Sequence, residues 1–115
     1  MMQARASATD QRRATRHQTD YRVVVEHLGR GPLTVHIANI SEHGFIIDRA
    51  APVVPADRLV IPLPVVGRLE GHCIWTSDER AGFQFERIIR ADIFATMLDE
   101  VRKHPNAEPS GDLTA

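Results

Sequence analysis

This chain of 115 residues has a single cysteine, Cys73, a single tryptophan, a single tyrosine and a single lysine. One cysteine excludes an internal disulfide, fits a reducing compartment and leaves no thiolate pair for a zinc site. So few aromatics leave no row of surface rings of the kind that stacks successive bases of single-stranded nucleic acid. No apolar run approaches the roughly 20 residues that a membrane-spanning helix needs. Residues 1–10 are polar and lack the apolar middle of a secretion signal. The net charge is −1, so the protein is not built to coat a polyanion. These absences predict a cytoplasmic protein with no membrane insertion and no nucleic-acid polymer as partner.

What is present is ordinary in bulk and uneven in distribution. Hydrophobic residues make up 43% and charged residues 25%, enough for one core and one domain. Lys103 is the only lysine among 14 basic residues, so the rest are arginines, and Arg5, Arg12, Arg13, Arg16 and Arg22 gather near the start. A guanidinium grips phosphate with two parallel hydrogen bonds and stacks on flat rings, which an ammonium does not do.

The ends (1–11 and 104–115) carry no apolar period and read as disordered, leaving 12–103 as the folded unit. Within it the signals are those of strands. Tyr21 to His27 is valine-rich, and a Gly-Arg-Gly-Pro turn follows. Leu33, Val35 and Ile37 alternate with Thr34, His36 and Ala38. Asn39 to His43 interrupts that strand, and Phe45-Ile46-Ile47 resumes it. Leu59 to Leu63 forms another strand. In the next, Leu69, Gly71, Cys73 and Trp75 share one face. Phe83 and Phe85 point inward from the last. Then the period changes: Ile93, Phe94, Met97, Leu98 and Val101 form a helical stripe, with Asp92 near its start and Arg102 and Lys103 near its end, as the dipole favours. Five or six short strands and one helix predict an antiparallel barrel or sandwich with the helix packed on it.

Two short stretches stand out for chemistry. Arg12 and Arg16 read Arg-x-x-x-Arg, with Arg13 between them. Asn39, Ser41 and Gly44 read Asn-x-Ser-x-x-Gly. In extended geometry Asn39 and Ser41 point the same way, one offering an amide and the other a hydroxyl. Gly44 suits a sharp turn or a close approach of backbone to ligand. Each motif alone is common.

Together, in this order and separation, and with Trp75…Gly82-Phe83-x-Phe85 downstream, they resemble the PilZ domain family, receptors for the bacterial second messenger cyclic di-GMP. The resemblance spans about residues 11–103. It implies a six-stranded split β-barrel with one C-terminal α-helix, a non-catalytic signalling role, and binding of cyclic di-GMP by Arg12, Arg13, Arg16, Asn39, Ser41 and Gly44. It implies no cofactor and no metal, and an effector protein acted on in trans. The chemistry of the ligand suits these residues: it carries two phosphates and two guanines, and guanidinium groups serve both. Family members carry Asp or Asn at the position of Asn39, and the neutral amide makes weaker hydrogen bonds than a carboxylate. Gln11 stands where some relatives have an arginine that helps hold a stacked ligand pair, which leaves the number of ligand molecules open.

Other readings fit less well. His17, His27, His36, His43, His72 and His104 have no metal-ligand spacing, and His27, His36 and His72 read as outward-facing strand residues. Ser41 and His43 lack the glycine elbow of a serine nucleophile. Trp75 and the phenylalanines read as core. A PilZ-like interaction module that does not bind the nucleotide is the alternative function.

Overall fold

The computed structural model describes residues 15–48 and 53–104. Arg12, Arg13 and the two expected disordered ends, His104 apart, lie outside them. Six strands run β1 (His17–His27), β2 (Gly31–Ile40), β3 (Gly44–Asp48), β4 (Arg58–Leu63), β5 (Gly67–Thr76) and β6 (Arg80–Phe85), followed by α1 (Ala91–Lys103). They close an antiparallel barrel in the order β1-β2-β3-β6-β5-β4, and closure shields strand edges that an open sheet would expose.

Period-two alternation builds the interior. Val23 and Val25 from β1, Val35 and Ile37 from β2, and Leu59 and Ile61 from β4 are all buried. Phe45 stacks on Phe83 with centroids 5.0 Å apart and packs obliquely on Phe85 at 5.4 Å. The seam between β1 and β4 is short, with Glu26 opposite Val60 and His27 opposite Leu59. Helix α1 lies against β1 and buries Phe94, Met97, Leu98 and Val101 in the same core. The apolar stripe is thus covered by the chain's own barrel.

The helix also holds the beginning of β1. The His17 ring packs on Phe94 at 5.5 Å, and Arg102 donates to the Gln18 carbonyl at 3.0 Å. β1 starts four residues earlier than the valine-rich stretch announces, so Arg16 immediately precedes a fixed strand.

Of the strand histidines, His27 departs from the outward-facing expectation. His27 is 5% exposed. Its Nε2 meets Asp57 at 3.0 Å, and its Nδ1 is buried without a partner. That hydrogen bond holds the Asp57 carboxyl below the usual carboxylate range; burial works against it, and the Val54 amide and the charges of His27 and Arg30 add to it. His36 is half-buried and bridges three strands, with Nδ1 at 2.6 Å from Asp48 and Nε2 at 2.5 Å from Asp20. His27 falls in phase with the buried Tyr21, Val23 and Val25 of β1, whereas His36 lies between the buried Val35 and Ile37 of β2 and keeps the outer side.

Candidate functional site

β1 and β2 form a long hairpin. Its closed tip is at His27 and Gly31, and its other end brings His17 opposite Ile40. That open end therefore carries Arg16 on one side and the Asn39–Gly44 segment on the other. The two halves of the sequence pattern, 23 positions apart, touch: Arg16 Nη1 donates to Asn39 Oδ1 at 3.1 Å. Arg16 is exposed and loses enough hydration there to lower its pKa from the ordinary arginine value, yet it stays a cation at any physiological pH.

Asn39 does not end its strand, since β2 continues to Ile40. The pairing of β2 with β3 slips between Ile37 and Asn39, a bulge that changes which side chains face inward. Strict alternation would have put Asn39 inside with Val35 and Ile37. After the slip Ile40 takes the inner position at 1% exposure, and Asn39 sits half-buried at the rim.

Ser41 is not the open hydroxyl that its spacing from Asn39 suggests. It is 1% exposed, and its Oγ accepts from the amides of His43 at 3.1 Å and Gly44 at 3.3 Å. Its backbone N–H donates to the Gly44 carbonyl at 2.8 Å. The side chain thus closes a tight turn from within, as serine does in such turns. With both lone pairs taken, only its O–H is left to offer a ligand.

Gly44 closes the expected sharp turn, and a second constraint acts on it. A Cβ on Gly44 would lie 2.0 Å from the Phe83 carbonyl oxygen. The close meeting of β3 and β6 at this point leaves no room for a side chain. The turn is pinned further by His43 O, which accepts from Phe85 N–H at 2.8 Å, and by Glu42 O, which accepts from Ile89 N–H at 3.0 Å.

These elements border a cleft of about 390 Å³, lined by Arg16, Ser41, His43, Gly44 and Ile46 from one side and by Ile74, Trp75, Gly82, Phe83 and Gln84 from the other. That volume is in the range of small-molecule sites. Among the described residues lining it, no carboxylate appears and Arg16 carries the one fixed charge, so the cleft favours an anion. Among the described residues no group of three or more His, Cys, Asp or Glu is arranged to hold a metal.

Trp75 is the largest departure from the sequence reading. It is 41% exposed, and Ile74 beside it is 48% exposed. β5 pairs Cys73 with Phe83 but Trp75 with Gly82, the next step on β6. Ile74 is the extra residue of a bulge, and the bulge throws Trp75 out of the inward series that Leu69, Gly71 and Cys73 obey. Ile46 and Gln84 also line the cleft without having been singled out, and His43, which the loop motif left open to ligand or solvent, lines it too. The signal that could have found Trp75 is Gly82: a glycine opposite a tryptophan in a strand pair marks a place where a ring lies on bare backbone.

A model of the PilZ domain matches residues 10–100. The chain belongs to the PilZ family, a family of cyclic di-GMP receptors whose domains are generally non-catalytic. Among solved structures it is similar to the Bacillus subtilis inhibitor of motility, MotI/DgrA, at 17% identity and a TM-score of 0.46. The match covers 78% of this chain and 49% of that one, so this chain spans about half the length of that protein. Among curated proteins none matches.

Proposed function

We propose that this protein binds cyclic di-GMP in the cleft between Arg16 and Trp75 and acts as a non-catalytic receptor. The observation that carries the reading is the 3.1 Å contact of Arg16 with Asn39, which joins the two motifs at the mouth of one carboxylate-free cleft. Arg16 serves a phosphate or a guanine O6/N7 edge, where a guanidinium fork binds in a bidentate manner. Asn39 reads the guanine edge, which pairs with amides. Ser41 and Gly44 act mainly by shaping the turn, and the Ser41 O–H is directed to the ligand.

Arg12 and Arg13 complete the arm. Four residues of extended chain span at most about 14 Å, so the chain allows Arg12 to reach a ligand seated beside Arg16. Their closure over a dianion fixes segments on both sides of the cleft and creates a surface for an effector protein. The cytoplasm is the compartment in which this receptor would meet its ligand.

Isothermal calorimetry tests the reading. Wild-type protein is expected to bind cyclic di-GMP with micromolar or tighter affinity. Arg12→Ala or Arg16→Ala is expected to cost on the order of 1.5–3 kcal/mol, the range for hydrogen bonds to charged groups. No heat above dilution with the folded wild type would contradict the reading and leave an interaction module that does not use the nucleotide.

A further inference from the structure

We infer that Gln84 is the residue by which the cleft recognises the donor edge of guanine, a part that Asn39, held by Arg16, does not play. The inference rests on the reading above of the cleft as a cyclic di-GMP site, and it names a specificity-determining contact within it.

A guanine presents two kinds of edge. O6 and N7 accept hydrogen bonds, whereas the N1–H and the N2 amine, side by side, donate them. The polar side chains at the open end of the hairpin are matched to the first kind. Arg16 is a donor alone. Ser41 gives its oxygen to the amides of His43 and Gly44 and keeps only its O–H. Asn39 Oδ1 accepts from Arg16 at 3.1 Å. A second donor at that oxygen would lie against the same cation, so the end of Asn39 left for a ligand is its NH2 group. Among the described residues lining the cleft there is no carboxylate. A guanine whose donor edge entered such a site without an acceptor would give up its hydrogen bonds to water and gain none.

Gln84 offers what these groups lack. It is exposed on β6 between the buried Phe83 and Phe85, and it lines the cleft. Its partner on β3 is Gly44, so no cross-strand side chain covers it on that side. Among the described residues nothing hydrogen-bonds its amide. The Oε1 atom carries two lone pairs, enough for the N1–H and the N2 amine together. His43 is the other lining side chain with an acceptor, but a neutral imidazole has one acceptor nitrogen and takes one of these donors, not both. The labour is thus divided: Arg16 and the Asn39 NH2 serve phosphate, O6 and N7, and Gln84 serves the opposite edge of the base. A site built to hydrogen-bond a ligand group rejects the analogue that lacks it, because its own polar atom is then left unpaired.

Cyclic di-IMP isolates the contact, since hypoxanthine keeps O6, N7 and N1–H and lacks only the N2 amine. In calorimetry the wild type is expected to bind cyclic di-GMP about fivefold more tightly than cyclic di-IMP, the worth of one neutral hydrogen bond. Gln84→Met keeps the length of the side chain and removes its acceptor. It is expected to bind the two ligands equally, and to melt with the wild type because the position is exposed. Gln84→Glu supplies an acceptor again and is expected to restore the preference. His43→Ala is expected to keep the preference of the wild type. If the wild type binds cyclic di-GMP but shows no preference, or if the preference survives in Gln84→Met, the assignment to Gln84 is wrong and the receptor reading stands. If folded wild type gives no heat with cyclic di-GMP, the receptor reading fails and this inference fails with it.

Discussion

The two ends of the β1–β2 hairpin each hold a polar pair, and the pairs are built to opposite purposes. At the closed tip His27 meets Asp57 at 3.0 Å with 6% and 20% of the two side chains exposed. At the open end Arg16 meets Asn39 at 3.1 Å in an exposed contact. The first pair has little water, and its loss would leave a buried polar group unpaired. The second joins a cation to a neutral acceptor at the mouth of a cleft, so its loss exposes both groups to solvent. A polar pair sealed from water stabilises the fold, whereas one left open can exchange its partner for a ligand.

Five substitutions would break or sharpen that contrast. Gly44→Ala should be the most damaging, because its Cβ lies 2.0 Å from the Phe83 carbonyl and must part β3 from β6. A loss of about 3 kcal/mol, the upper part of the range for overpacking, is expected in urea denaturation. Asp57→Ala should cost about 2 kcal/mol of stability and leave ligand affinity unchanged. The same group sets an acid limit. The folded carboxyl sits below its ordinary range, so the unfolded chain binds the proton first as pH falls. The stabilisation is present above the unfolded carboxylate value near 3.9 and drains away as pH drops from there through the folded value. Asp57→Asn should flatten the dependence of the urea midpoint on pH below about 4.

Arg16→Ala should reverse the pattern of Asp57→Ala, with a tenfold or greater loss of cyclic di-GMP affinity and a melting temperature close to wild type, since exposed contacts contribute little to stability. Ser41→Ala stands between the ends. It removes the acceptor of two amides and should cost about 1 kcal/mol. Hydrogen exchange at His43 and Gly44 should quicken with it.

The fold was legible in the sequence where one period persisted. Val23 and Val25, Leu59 and Ile61, Phe83 and Phe85, and the helical stripe from Phe94 to Val101 all took their expected places. The site was legible as a set of residue types in order, and Arg16 and Asn39 do meet. Legibility ended where a strand slipped. A bulge at Ala38 turned Asn39 to the rim, and one at Ile74 turned Trp75 outward. Alternation carries no mark of an extra residue until the opposing strand is known. The roles of Ser41 and Gly44 were hidden for a related reason, since the turn amides and the Phe83 carbonyl that explain them belong to backbone brought near by folding. His27 continues the inward series of Val23 and Val25, and Asp57, 30 positions away, is the partner that lets a polar ring be buried there.

The central claim is that ligand acts at the open end of the hairpin and not at the closed one. The most direct measurement is a ¹H–¹⁵N NMR titration of the wild-type protein with cyclic di-GMP. The account predicts shifts of the amides at Arg16, Asn39 to Gly44, Trp75 and Gly82 to Gln84, with His27 to Gly31 and Asp57 unmoved. Shifts centred on the His27 end, or none at saturating ligand, would contradict it.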